Sequence, residues 1–261
     1  PEGYVRKTVG PFEVLHTPKD EELIDRLDAD RLSDLEARCR TLSGLSSVRR
    51  RVILIPPDLG VYRKLHASAP GDLMSWYPSG FETLDYITMW PPSVPRYRQP
   101  AGEDYFWDEE FYEIVAHEYV HVMVDEATGI FSPVPAWLNE GLAVYVEGQL
   151  WPEAKEYWDA VYAVSRDRGR LLPWDDVTRN GTGSYAIALA RIHYAQSCAM
   201  VSALADAYGI AKVAAYVRSF RVPLGEIDDV DLVRAFTKNF KEVFGATWEE
   251  AVALLEAPGG F

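Results

Sequence analysis

The chain carries His117-Glu118-Tyr119-Val120-His121, two imidazoles four residues apart with a carboxylate beside the first. On an α-helix, positions four apart stand about one turn above each other and about 40° apart around the axis, so both rings can reach one ion. A catalytic zinc takes three protein ligands and leaves a fourth position for water, whose pKa falls from about 16 to about 7 on binding. Glu118, adjacent to the first histidine, is placed to take that proton. With only five histidines in 261 residues, a chance match to this spacing is rare.

A third ligand is expected at Glu140, in the run Asn139-Glu140-Gly141-Leu142-Ala143. Eighteen residues separate His121 from Glu140, enough to finish one helix, turn through residues 129–134 and return antiparallel. The elements that must carry these groups are readable. Phe111, Ile114, Val115, Tyr119 and Val122 recur at helical spacing, with Asp108 as a cap and Gly129 as a stop. Pro135 suits the first turn of a second helix running to about Gly148, and Pro152 opens a third. Residues 186–208 read as a long helix ended by Gly209, residues 210–220 continue helically, and Thr247 with Glu250 forms a capping box.

The first hundred residues read as mixed α/β. Strands are expected at 12–16, 51–55, 74–77 and 84–89, and helices over the Leu23, Ile24, Leu27, Leu32, Leu35 pattern and at 62–66. Prolines 91 and 92 after residues 84–89 suggest an edge strand there, and with Pro95 and Pro100 they mark residues 90–102 as a connecting loop. The expected organisation is an N-terminal α/β subdomain, 1–103, and a mainly helical one, 104–261, together one catalytic domain.

The H-E-x-x-H motif, 18 residues, then N-E-G-x-A resembles the gluzincin clan of zinc metallopeptidases, specifically the peptidase MA-like group. That resemblance implies an α+β, zincin-like fold in which an edge strand of the upper subdomain, here residues 84–89, lies over the cleft and pairs with an extended peptide substrate. It implies one zinc held by His117, His121 and Glu140, with Glu118 as general base and acid. It also implies an oxyanion donor. Tyr194, in His193-Tyr194-Ala195-Gln196-Ser197, resembles the family's Y-x-x-S segment and is the first choice, with Tyr185 and His193 behind it.

The chain departs from its relatives in two places. No G-x-M-E-N segment precedes His117, which leaves aminopeptidase activity unsupported, and Val144 stands where thermolysin-like members carry an aspartate. The rival class is a zinc-holding scaffold or interaction domain without turnover; hydrolysis of a non-peptide ester or amide would use the same chemistry.

Other residues take ordinary readings. His16 and His66 read as surface or satisfied core groups, and the eight tryptophans as core packing. Asp125 and Asn139 are placed to orient a ligand from behind, with solvation on the helix surface at least an equal reading for Asp125. Glu147, two turns beyond Glu140 on a similar face, could point to the site but reads first as a solvated carboxylate. Cys39 and Cys198 make no metal pair, and a bridge between them is left open. A net charge of -14 without a basic block argues against nucleic acid as a partner. The most apolar stretch, 194–217, is broken by Asp206, Gly209 and Lys212 and falls short of the roughly 18 apolar residues of a membrane span. Position 1 is proline, so an upstream leader and export are expectations that this chain leaves open.

Overall fold

Strand pairing begins with an antiparallel hairpin, β1 (Val5–Val9) with β2 (Phe12–His16), turned at Gly10. Gly10 sits at φ +56°, and a Cβ there would stand 2.6 Å from the Ala29 carbonyl oxygen, so the turn needs glycine on both counts. The computed structural model describes residues 3–48, 51–67, 80–83, 86–91, 109–129, 132–179, 185–222 and 232–256. After a 3₁₀ turn (Pro18–Asp20) come α1 (Glu21–Ile24), α2 (Ala29–Ser43), β3 (Arg51–Leu54), α3 (Leu59–Ala67), β4 (Gly80–Thr83) and β5 (Tyr86–Met89). The elements described after β5 are all helices: α4 (Glu109–Thr128), α5 (Ala136–Leu150), α6 (Pro152–Asp167), α7 (Trp174–Arg179), α8 (Ile187–Tyr208), α9 (Ile210–Arg218), α10 (Leu232–Phe244) and α11 (Trp248–Glu256).

The five strands lie in the order β1-β2-β3-β5-β4, with β2, β3 and β5 parallel and a reversed strand at each end. In register, Val14, Ile53 and Ile87 form a row across the sheet, all buried in the main core with Phe111 and Val115 of α4. Leu15, Val52 and Leu54 alternate to the opposite face, where Tyr4, Leu65 and Tyr86 cover them. The architecture is therefore α+β, a mixed sheet backed by helices, with the helical part carrying most of the chain.

Three expectations change. Residues 84–89 are not the edge: β5 spans Tyr86–Met89 and is paired on both sides, while β4 ends the sheet and runs beside α4. Pro91 lies beyond Met89, the last strand residue, so it removes no ladder hydrogen bond and carries no information about the edge. The helix expected across Leu23 to Leu35 is two helices, because the Asp28 side chain accepts from the Asp30 and Arg31 N–H groups and starts α2 afresh. β1 was not anticipated, since Arg6 and Lys7 interrupt its apolar alternation. The strand expected at 74–77 and the Asp108 cap lie outside the described residues.

The breaks expected at Gly129, Pro135, Pro152 and Gly209 agree with the helix ends, whereas α7 and α10 stand where the sequence reading places no helix. Gly129 and Gly209 take positive φ after α4 and α8, at +96° and +84°. Thr247 N–H donates to Glu250 Oε2 at 2.6 Å and Glu250 N–H to Thr247 Oγ1 at 3.3 Å, the reciprocal cap of α11. Among the described residues no single helix is both long and apolar enough to cross a membrane; only α8 and α9 taken together would be, and they bend by 116° at their break. Both cysteines are buried and free.

Candidate metal centre

Helix α4 is anchored from behind before it presents anything. Tyr119, inside the motif, points away from the two histidines: its hydroxyl accepts from Arg51 Nε at 2.9 Å and donates to Glu36 Oε1 at 3.1 Å, while Arg51 pairs with Glu36 at 2.7 Å. Burial pushes the Tyr119 phenol up to about 12, so it stays a donor at neutral pH. Further along, Glu126 accepts the Val48 N–H at 2.8 Å and the Ser47 hydroxyl. These contacts tie α4 to α2, β3 and their connection, and Phe111, Val115, Val120 and Met123 seat its apolar side in the core.

On the facing side His117 and His121 stand with ring centroids 4.9 Å apart. Helix α5 brings Glu140 to them: its Oε2 is 3.6 Å from His117 Nε2 and 3.4 Å from His121 Nε2. One ligand atom from each of the three lies within 4.8 Å of the others, and this is the one such cluster of metal-ligating groups found among the described residues.

The far side of each ring is fixed. His117 Nδ1 lies 3.2 Å from Glu147 Oε2, and His121 Nδ1 lies 3.0 Å from Asn139 Oδ1. A carboxylate and an amide oxygen only accept, so each Nδ1 carries a proton, and the Nε2 of each ring, which faces the cluster, is the nitrogen that offers its lone pair once the ring is neutral. Asn139 thus takes the orienting part expected of it. Glu147, expected in solvent, is a correction: seven residues beyond Glu140, it returns to the same helix face and serves His117.

Charge is concentrated here. Burial by itself lowers the His117 pKa, but hydrogen bonds donated to Glu140 and Glu147 and the charges of Glu118 and Glu147 outweigh it and raise it well above 6.5. For His121 burial likewise lowers and Glu140 raises, with a net rise. Burial would raise Glu140, yet the two histidines hold its carboxyl well below the usual range. A site that binds protons this firmly is built for positive charge.

The donor set fits zinc. Two imidazole nitrogens and one carboxylate oxygen are a known catalytic zinc set, and bonds of about 2.0–2.1 Å in a tetrahedral arrangement place ligands about 3.3 Å apart, close to the 3.4 and 3.6 Å separations here. Glu118, next to His117, is buried at 8% exposure.

Of the three oxyanion candidates, Tyr194 on α8 lies with its ring centroid 6.0 Å from that of His117. Tyr185 packs on His193 at 5.7 Å, and His193 is fully buried with Nδ1 3.3 Å from Ser197 Oγ. His16 and His66 are core residues: His16 Nδ1 donates to the Thr17 carbonyl at 2.9 Å, and His66 stacks on Tyr62. No spacing in the sequence marks Trp158 on α6, whose ring lies 5.6 Å from Tyr194 and whose Nε1 donates to Glu147 Oε1 at 3.4 Å.

Comparison with known proteins bears on the fold and the family. Two solved structures of yeast leukotriene A4 hydrolase resemble the chain in fold. The complex with bestatin has a TM-score of 0.53 at 16% identity, covering 95% of this chain and 39% of that one. The native enzyme from Saccharomyces cerevisiae has a TM-score of 0.50 at 14% identity, covering 95% and 38%. The chain thus spans about two fifths of the length of these proteins. No curated protein matches it by sequence. Residues 107–250, from the start of the histidine helix to the cap of the last one, match the Peptidase MA superfamily. That match covers more than half of the sequence, and the chain belongs to the Peptidase MA superfamily.

Proposed function

We propose that the chain is a zinc-dependent peptidase that cleaves extended peptides, with His117, His121 and Glu140 holding the ion. One observation carries this: three ligand atoms converge within 4.8 Å while both histidines are locked, through Glu147 and Asn139, in the tautomer that ligates by Nε2. Bound zinc would supply a Lewis acid that acidifies water and polarises the scissile carbonyl. Glu118 takes the proton from the attacking water and returns it to the departing amine, keeping the exchange balanced within one side chain. The Tyr194 hydroxyl donates a hydrogen bond to the carbonyl oxygen as that oxygen gains charge. β4, at the end of the sheet beside α4, offers backbone groups to an extended substrate, which accounts for recognition with little dependence on side chains.

The test is digestion of an unstructured protein mixture by the purified chain, with and without chelator, beside Glu118→Gln. Chelator-sensitive cleavage that disappears in the variant while one zinc per chain is retained supports the reading, and the cut sites give the specificity. Zinc-loaded protein that cleaves nothing overturns it in favour of a scaffold.

A further inference from the structure

Trp158 touches two separate parts of the metal centre at once. The Glu147 carboxylate divides its oxygens, Oε2 facing His117 Nδ1 at 3.2 Å and Oε1 accepting from Trp158 Nε1 at 3.4 Å. The same indole lies against Tyr194, centroids 5.6 Å apart and planes tilted by 43°, and Tyr194 in turn stands edge-on to His117 at 6.0 Å and 71°. The contacts close a loop: His117, Glu147, Trp158, Tyr194 and back to His117. The loop draws on four helices, α4, α5, α6 and α8.

We propose that Trp158 is a positioning residue that holds the Glu147 carboxylate and the Tyr194 ring in a fixed relation to His117. The inference rests on the proposed function and deepens it, because it says what keeps the ligand arm and the oxyanion arm in register. Indole suits the place. It is a donor without acceptor capacity, so its N–H can only reinforce the carboxylate, and its flat apolar body supports a phenol ring. Phenylalanine keeps the body and loses the donor; leucine loses both. A carboxylate held at one oxygen only can swing about its bond to the histidine, and such partners of a ligand histidine typically govern metal affinity.

The substitutions Trp158→Phe and Trp158→Leu separate the two arms, read by chelator competition for zinc, by the visible spectrum of the cobalt-substituted protein, and by kcat and KM on a peptide. Trp158→Phe is expected to weaken zinc binding about three- to tenfold and to shift the cobalt bands, with kcat near that of the parent once zinc is saturating. Trp158→Leu is expected to add a fall in kcat of about tenfold at unchanged KM, as Tyr194 loses its support. Zinc affinity within twofold of the parent and a superimposable cobalt spectrum in Trp158→Phe would overturn the proposal, leaving Trp158 as packing that affects only the melting temperature. A parent chain that takes up no metal overturns the metal reading and this inference together, whereas a zinc-binding parent matched by Trp158→Phe overturns this inference alone.

Discussion

Gly141 on α5 and Ser197 on α8 meet backbone to backbone: a Cβ on Gly141 would stand 2.4 Å from the Ser197 carbonyl oxygen and 2.9 Å from Val201 Cγ2. Gly141 directly follows Glu140, the proposed carboxylate ligand, and Ser197 lies about one helical turn beyond Tyr194. The distance between the carboxylate arm and the tyrosine is therefore set by how closely these two helices cross, and only glycine permits this approach.

Gly141→Ala tests that link. The added methyl meets main chain and not a movable side-chain end, so α5 and α8 must separate, at a cost of about 1–3 kcal/mol. A melting temperature lower by about 2–4 °C for each kcal/mol is expected. Zinc stoichiometry should persist, since Glu140 and both histidines remain, while kcat falls with the displaced Tyr194. Calorimetry and metal analysis on one preparation check both; an unchanged melting temperature would show that the crossing gives way freely.

Asn139 and Glu147 should control metal affinity without touching the metal. Truncating either to alanine removes the acceptor at one Nδ1, freeing that ring's tautomer and orientation, and a loss of about 10- to 100-fold in zinc affinity is expected. Asn139→Asp, which keeps an acceptor oxygen for His121, should recover most of the loss seen in Asn139→Ala. Competition with a chromophoric chelator measures all three, and equal affinities would mean that packing alone orients the rings.

The parts of this arrangement legible in the sequence are those governed by local periodicity. His117 and His121 share a face because helix geometry puts them there, and Gly209 and the Thr247 and Glu250 pair end or start helices by their own chemistry. Glu147 carried a signal, its seven-residue spacing from Glu140, but a carboxylate two turns away is as easily solvated as bonded. β4 and Trp158 were hidden for a different reason. Gly80-Phe81-Glu82-Thr83 is short and mixed in polarity, so its place at the sheet edge follows from pairing with β5 and not from composition. Trp158 acquires its neighbours from two other helices, α5 and α8, and no spacing within α6 announces them.

Zinc and protons should compete at this site with a definite sign. Zinc needs neutral imidazoles, and the folded chain holds protons on His117 and His121 above the ordinary value of 6.5. Raised histidine values stabilise the metal-free fold fully below 6.5 and lose that effect as pH rises through them, while the lowered Glu140 value contributes above 4.5 and loses its effect as pH falls towards it. The metal-free chain therefore gains most from the cluster between 4.5 and 6.5. Zinc adds most above that window. Melting temperatures of metal-free and zinc-loaded protein from about pH 5 to about pH 8 should diverge steadily; a constant gap would show that these protons are not linked to metal binding.

Cys39 and Cys198 offer the last test, one of the core and not of the site. Both thiols are free and buried, and burial pushes each up to about 12, with Glu36 adding to the rise at Cys39 and Asp159 and Glu147 at Cys198. At pH 8 only about one thiol in ten thousand would be thiolate, and neither is open to a reagent. Native protein should therefore show no reaction with a disulfide reagent over minutes, whereas denatured protein should titrate both cysteines. The slow native rate then measures opening at the helix that carries each thiol, α2 for Cys39 and α8 for Cys198. If Cys198 reacts faster than Cys39, α8 opens more readily than α2, and the helix that carries Tyr194 is the more mobile wall of the site. Rapid reaction of both in native protein would contradict the burial on which the packing of α2 and α8 rests.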